Sequence, residues 1–309
     1  MTVVGAGPLL LVLAQAPPVF RTGVEVVYVD VSVTKKDAPV LGLSADDFVV
    51  TDNGIRQRVA LVDRESVPTT AVLALDVSLS VAGEKLARLR AAAWAFLRGM
   101  AERDEAALVT FNHRIELRQA PTTNRAAVAD ALERVEAHGA TAVIDALYLC
   151  LKRRWSGGRP LVVLFTDGAD TASWLPNDSV LQAARESPAL LYVVGTGTAS
   201  ERSAQAPNLM GLRPVVSEPG HIYLLQRAAD TTGGEYWSAS YDRLEAAFLK
   251  VLEAANARYV LSYEPEGIAR EGRHRLKVSV KRRGVEVRAR QEYVVPELPT
   301  AGSGFAPAR

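Results

Sequence analysis

From residue 71 onward, short apolar runs alternate with longer stretches in which apolar residues return every three or four positions. The runs AVLALD, AALVTFN, PLVVLFTDG and ALLYVVGTGT read as strands, with the more polar RIELRQA and GGEYWSA as lesser strands, the latter at a sheet edge. Between them GEKLARLRAAAWAFLRGM, NRAAVADALERVEAH, GATAVIDALYLCLKRRW and DRLEAAFLKVLEAANARY carry helical periodicity, as do the segments around VLQAARE and IYLLQRAAD. Strands alternating with helices of this length predict βαβ units, hence a doubly wound, mostly parallel sheet flanked by helices, a Rossmann-like α/β fold.

The two ends of the chain have a different period. In VEVVYVDVSVT the valines at 27, 29, 31 and 33 alternate with polar residues, and Asn53-Gly54 separates two apolar-rich runs, which predicts a hairpin. YVLSYEP, HRLKVSVKRRG and VEVRARQEYVV alternate in the same way, with Arg283-Gly284 read as a turn between the last two. A few strands at each end are too few for two stable domains, so they are expected to pair into one small β-sandwich-like domain, with the α/β domain inserted between its halves. The expected boundaries are 20–66 and 257–296 for the β segments, 67–256 for the α/β domain and 297–309 for a loose tail.

At 309 residues, 48% hydrophobic and 23% charged, the chain has room for about two domains. A net charge of +1 gives no reason to expect nucleic acid as a partner. One cysteine, Cys150, precludes an internal disulfide and lies at helical spacing with Ile144, Leu147 and Leu151, so it reads as a buried inert thiol. The four histidines, His113, His138, His221 and His274, are scattered without zinc-site spacing. GAGPLLLVLAQAPP resembles a signal-peptide core ending in the cleavage-like Ala14-Gln15-Ala16, so residues 1–16 are expected to be a leader and the mature chain to begin near Pro17. The expected location is periplasmic or secreted, with no transmembrane segment.

The chemistry gathers at strand ends. In ALDVSLSV an apolar strand runs directly into Asp76, Ser78 and Ser80, and PLVVLFTDG runs likewise into Asp167. Thr141 lies in the loop GATAV just ahead of a helix. In a doubly wound sheet ligands bind at the carboxyl ends of the strands, so three hydroxyls and two carboxylates are expected to converge on one crevice. An all-oxygen set suits a hard cation such as Mg²⁺. Taken singly, Ser78, Ser80 and Thr141 also fit as helix caps and Asp167 as part of a turn.

DVSLS fits the D-x-S-x-S signature of von Willebrand factor type A (VWFA) domains, and with Thr141 and Asp167 all five positions of their metal-ion-dependent adhesion site are matched. The phrases GLSADDFVVTDNG, FTDGADTAS, YVLSYEP and VEVRARQEY resemble the bacterial VWFA-related family, in which such a domain sits between β segments of exported proteins. The resemblance implies a binding module rather than an enzyme. It implies that Ser78, Ser80 and Thr141 contact Mg²⁺ or Mn²⁺, that one or both of Asp76 and Asp167 act largely through water or swap in as ligands, and that an exposed Asp or Glu of a partner protein completes the coordination. Oligomeric state is left open.

The readings set against it are a hydrolase, for which no G-x-S-x-G elbow exists, a VWFA subunit of an intracellular metal-insertion or AAA-motor complex, and a structural module with an idle site. Asp170 reads as a solvated loop acid, Trp94 and Trp155 as packing residues, and Trp174 as an exposed residue near the partner surface. Arg275, Lys277, Lys281, Arg282, Arg283, Arg288 and Arg290 read as a solvated face of adjacent strands, the alternative being a site for an anionic polymer. Asp76→Ala is expected to cost the fold little, on the reasoning that a polar strand end faces water.

Overall fold

The computed structural model describes residues 26–36, 38–62, 67–155, 158–167, 170–196 and 219–295. The leader expected at 1–16 and the tail at 297–309 lie outside them.

The amino-terminal strands are β1 (Val27–Lys35), β2 (Ala38–Pro39), β3 (Phe48–Asp52), β4 (Ile55–Gln57) and β5 (Ala60–Val62). There follow β6 (Thr69–Asp76), α1 (Glu84–Gly99), β7 (Glu105–Phe111), β8 (Ile115–Thr122), α2 (Arg125–Glu133), α3 (Val143–Lys152) and β9 (Arg159–Thr166). Next come α4 (Asn177–Glu186), β10 (Leu190–Gly195), α5 (Pro219–Thr232), β11 (Glu235–Ser238) and α6 (Leu244–Asn256). The described chain ends in β12 (Tyr259–Tyr263), β13 (Gly272–Val280), β14 (Glu286–Ala289) and β15 (Glu292–Val295).

The central sheet has the order β11-β10-β9-β6-β7-β8, parallel throughout except for β8 at one edge. β6 is buried on both faces. Ala71, Leu73 and Leu75 pack toward α1 and α6, while Val72 and Ala74 pack toward α3, α4 and α5. That double burial is why its sequence is an unbroken apolar run rather than an alternating one. After β6 the chain moves to β7 and β8 on one side, and it then returns to β9 on the other. The strand order therefore reverses between β6 and β9.

One helix is shorter than its sequence pattern, and another starts where Thr141 is expected to precede it. Asn124 caps α2 by accepting a hydrogen bond from Ala127 N (3.2 Å), but the helix stops at Glu133 rather than running on through VEAH. The Arg90 guanidinium takes the carbonyls of Glu133 (3.0 Å) and Val135 (2.5 Å), and Val135 drops into the core. Ending the helix there frees residues 134–142 to travel back over the end of β6. The helix in GATAVIDALYLCLKRRW begins only at Val143, which leaves Thr141 in the preceding loop.

The terminal strands form two antiparallel sheets. One has the order β14-β1-β12-β5, with β2 added on β1; the other has the order β15-β13-β3-β4. Val29, Val31, Val33, Phe48, Val50, Leu261 and Leu276 from both sheets share one buried apolar cluster. Asn53 and Gly54 adopt positive φ (48° and 83°) and close a two-residue hairpin between Asp52 and Ile55.

One sequence reading is corrected here. Arg283-Gly284 does not join two paired strands, because β13 pairs with β3 and β15 while β14 pairs with β1. VEVRARQEYVV breaks into β14 and β15, which lie in different sheets. At the break Arg290 turns inward to hydrogen-bond the carbonyl of Ser187 at the end of α4. The basic residues consequently do not share one face: Arg288 pairs with Asp230 and Glu286, and Arg290 is spent on α4.

These two sheets dock on the amino-terminal ends of the central strands. Arg159, the first residue of β9, pairs with Asp30 at 2.6 Å. Arg258, only 2% exposed, reaches the carbonyls of Asp30 (3.1 Å), Gly233 (2.7 Å) and Arg288 (3.3 Å). The carboxyl ends of β6 and β9 lie at the far end of strands eight residues long, roughly 25 Å away at a rise of about 3.3 Å per residue.

Candidate metal centre

β6 delivers Asp76 to the point where strand order reverses. The main chain is held there by Val77 N donating to Phe111 O (2.8 Å) and His138 N donating to Val77 O (2.9 Å). Asp76 is fully buried. One of its carboxylate oxygens accepts from Ser78 N (3.0 Å), the other from the Thr166 hydroxyl (2.9 Å). Burial and then the neighbouring charge of Asp167 push its pKa up to about 7, an effect that the donors from Ser78 and Thr166 only partly offset. The premise of the low cost expected for Asp76→Ala, a strand end facing water, is therefore overturned. Alanine there would relieve the charge but leave a cavity and remove the acceptor used by Ser78 N and the Thr166 hydroxyl.

The two serine hydroxyls meet at 2.9 Å. Ser78 is 2% exposed and Ser80 lies at the rim, where its carbonyl accepts from Lys85 Nζ (2.9 Å). Neither serine caps the helix that follows. Gly83 occupies the N-cap of α1, and Ser78, at the start of the 3₁₀ turn Leu79–Val81, makes no side-chain cap bond. Thr141 is 4% exposed; its amide donates to the Thr171 hydroxyl (3.0 Å), and its carbonyl accepts from Thr171 N (2.8 Å) and Ala172 N (2.9 Å). Asp167, half-buried, follows the last residue of β9. The structure thus brings Asp76, Ser78 and Ser80 together and sets Asp167 close enough to act on Asp76. Thr141 stands on the adjoining loop, tied to the turn by Leu79 N donating to Gly139 O (3.0 Å).

Asp170 is not a solvated loop acid. Its carboxylate accepts from Ile144 N (2.9 Å) and from Ser173 N (3.1 Å) and Oγ (2.7 Å), so it caps α3 from across the cleft. Asp145, in the first turn of α3, answers by accepting from Trp174 N (3.0 Å) and Leu175 N (2.9 Å). The two acids clasp loop 170–175 to the helix that follows Thr141. Sequence reading missed Asp145 and Thr166, although an acid in a helix first turn and a threonine closing an apolar strand were visible signals.

Histidines distant in sequence also meet at this end. The rings of His113 and His138 lie 6.0 Å apart, and His113 sits over Gly139, where φ is +76° and a Cβ would fall 2.2 Å from its Nδ1. The positive φ is what favours glycine at 139, while a Cβ there would also push the exposed His113 ring aside. Burial, and then the charges of Asp167 and Asp76, push the Tyr241 hydroxyl pKa upward, and Lys85 Nζ stands 5.1 Å over its ring.

Among the described residues no group of three or more His, Cys, Asp or Glu side chains could hold a metal ion. Any cation here would rest on hydroxyls with carboxylates beside them, a donor set that fits a hard cation and not a thiophilic one.

Residues 71–169 match the family model of the von Willebrand factor type A domain, and all five positions considered above fall inside that span. That segment is what the chain shares with the VWFA family. A curated relative, the uncharacterized protein sll0103 of Synechocystis sp., is 33% identical over 107 residues, which cover 33% of this chain and 26% of that protein. The chain thus matches about a quarter of the length of this relative. Among solved structures, a von Willebrand factor type A protein from Catenulispora acidiphila is 14% identical, with a TM-score of 0.48 over 87% of this chain and 74% of its own. Proximal thread matrix protein 1 from the mussel byssus, in a form with a zinc-occupied MIDAS motif, is 16% identical, with a TM-score of 0.49 over 65% of this chain and 49% of its own. Among the described residues no helix is long and apolar enough to cross a membrane.

Proposed function

We propose that the protein is an exported, metal-dependent adhesion module whose VWFA domain takes up an acidic side chain of a partner protein. In this reading Ser78, Ser80 and Thr141 hold Mg²⁺ or Mn²⁺, Asp76 and Asp167 stand beside or behind them, and the partner's Asp or Glu takes a remaining position. The observation that carries it is the contact between the hydroxyls of Ser78 and Ser80, 2.9 Å apart, next to a fully buried carboxylate facing a second acid. Two acids so placed repel each other, and a divalent cation removes the conflict. A ligand set rich in neutral hydroxyls leaves the cation's charge poorly neutralised, so an incoming carboxylate is favoured. The role is binding rather than catalysis, because the Ser78 hydroxyl contacts another hydroxyl rather than a base.

The β segments, 20–66 with 257–296, serve as a stem in this reading. They dock at the amino ends of the central strands, so these segments leave the carboxyl-end face that bears the site to a partner.

Thermal unfolding with Mg²⁺ and with chelator tests the site. Saturating Mg²⁺ should stabilise the wild type by about 2–3 kcal/mol at about a hundred times its Kd. Ser80→Ala should shift the Mg²⁺ midpoint upward without removing the effect, since water can replace a rim hydroxyl on a cation that keeps several waters. A melting curve indifferent to Mg²⁺ and Mn²⁺ would refute the assignment. Export is tested separately, by mass spectrometry of the native protein: a mature chain starting near Pro17 is expected, and an intact Met1 in a cytosolic fraction contradicts it.

A further inference from the structure

Trp174 is 94% exposed, and Leu79, between the two serines, is 67% exposed. An indole that open to water is unusual, because burying an aromatic side chain removes about 150–250 Å² from solvent. Trp174 is not the tip of a loose loop. Its own amide and that of Leu175 are held by Asp145, Ser173 is held by Asp170, and Asp145 N donates back to the Ser173 hydroxyl (3.2 Å). Leu175 packs against the core behind it. The backbone carrying Trp174 is therefore fixed before any partner arrives, which lowers the entropy cost of using it as an anchor.

Leu79 is fixed as well. Its amide donates to Gly139 O, its carbonyl accepts from Ala82 N (3.2 Å), and Val81 beneath it is fully buried. The segments that carry both residues are tied to the loop of Thr141: Leu79 N donates to Gly139 O, two residues before Thr141, and the Thr141 carbonyl accepts from Thr171 N and Ala172 N, the latter two residues before Trp174. Lys85, which reaches the Ser80 carbonyl, supplies a charge that complements an acid, whereas the carboxylates of Asp145 and Asp170 are held by backbone amides and the Ser173 hydroxyl.

We propose that Trp174 and Leu79 form an apolar seat beside the cation site, so that the segment recognised is a peptide carboxylate flanked by aliphatic or aromatic side chains. This rests on the reading of the cation site. Rigid exposed aromatics at the centre of an interface carry a disproportionate share of binding energy. The seat would therefore supply the discrimination among acidic segments that a bare cation lacks.

The test uses two capped pentapeptides, Gly-Leu-Glu-Leu-Gly and Gly-Ser-Glu-Ser-Gly, titrated against the full chain in Mg²⁺ and in EDTA. Binding is read by tryptophan fluorescence, with Trp174→Phe identifying the signal of Trp174, and by calorimetry. The leucine peptide should bind about tenfold more tightly in Mg²⁺, a difference of about 1.4 kcal/mol. Trp174→Ala should reduce that preference to less than about threefold, and Leu79→Ser should reduce it in part, while both keep the Mg²⁺-induced rise in melting temperature. Equal affinity for the two peptides in the wild type, or an unchanged preference in Trp174→Ala, overturns the proposal. Self-association in sedimentation velocity that Trp174→Ala abolishes would assign the surface to a second copy and also overturn it. If Mg²⁺ neither stabilises the protein nor affects either peptide, the cation reading alone fails. A leucine preference persisting in EDTA would then still support the seat.

Discussion

Asp76→Asn should raise the melting temperature of the metal-free protein at pH 8 while abolishing its response to Mg²⁺. The sign follows from the shift. In the fold Asp76 titrates at about 7, well above the ordinary value of 3.8 that it regains on unfolding. Its contribution to stability is fully present below the unfolded value and is lost as pH rises from about 4 through about 7. At pH 8 the wild type therefore holds a buried charge beside Asp167 at a cost on the order of 2–4 kcal/mol, which asparagine does not incur. Asparagine keeps an oxygen for Ser78 N, and its amide can donate to the Thr166 hydroxyl oxygen once that hydroxyl turns its proton elsewhere, so the site stays filled and polar contacts remain. Toward pH 4 the two proteins should converge. Mg²⁺ should reverse the order at pH 8, because the cation stabilises only the carboxylate form. Melting curves at pH 4.5 and 8, with Mg²⁺ and with chelator, give the four values needed. Equal stabilities of the metal-free proteins at pH 8, or a variant that still gains from Mg²⁺ as the wild type does, would remove the charge conflict from the account.

The same residue marks where sequence is informative and where it is not. That Asp76, Ser78 and Ser80 end an apolar strand is legible from period alone, and so is Asp167, because a strand buried on both faces must be continuously apolar until it emerges. What period cannot give is depth. Asp76 is buried because Thr166 on the neighbouring strand covers it, and that pairing depends on β9 lying beside β6, a fact of strand order rather than local pattern. Asp170 was misread for a similar reason. Its hydrogen-bond partner, Ile144, is 26 residues away, and a cap supplied from across a cleft has no local signature. In the terminal strands, alternation located VEVRARQEYVV but could not show the break between sheets. That break is set by Arg290 reaching α4, a contact made 103 residues away.

Asp52→Ala should destabilise the paired terminal sheets by about 3–5 kcal/mol, the largest single effect expected in that part of the molecule. Asp52 is fully buried at the end of β3. One of its oxygens accepts from both the Tyr263 and the Tyr293 hydroxyls at 2.7 Å, and His274 Nδ1 lies 3.0 Å from the other, with its ring stacked on Tyr293 at 4.4 Å. Tyr263 belongs to β12 in one sheet, whereas Asp52, His274 and Tyr293 belong to the other, so a single carboxylate joins the two. Burial and the neighbouring Tyr293 and Asp52 drive the Tyr263 pKa upward, which keeps its hydroxyl a neutral donor. Alanine removes the acceptor shared by the Tyr263 and Tyr293 hydroxyls and the His274 ring, for which the 3.3 Å contact from the Tyr263 to the Tyr293 hydroxyl compensates only in part, and a stranded donor costs about 1–3 kcal/mol. If stranded donors are the cause, adding Tyr263→Phe and Tyr293→Phe to Asp52→Ala should recover part of the loss, although each costs stability in the wild type. Denaturant unfolding of this mutant series measures the coupling directly. Hydrogen exchange should rise first in residues 26–62 and 259–295, with the Mg²⁺ midpoint unchanged because the cation site lies at the far end of the central strands. A loss below about 1 kcal/mol, or exchange rising first in β6 and β9, would mean that the joint between the sheets is made by the apolar cluster and not by Asp52.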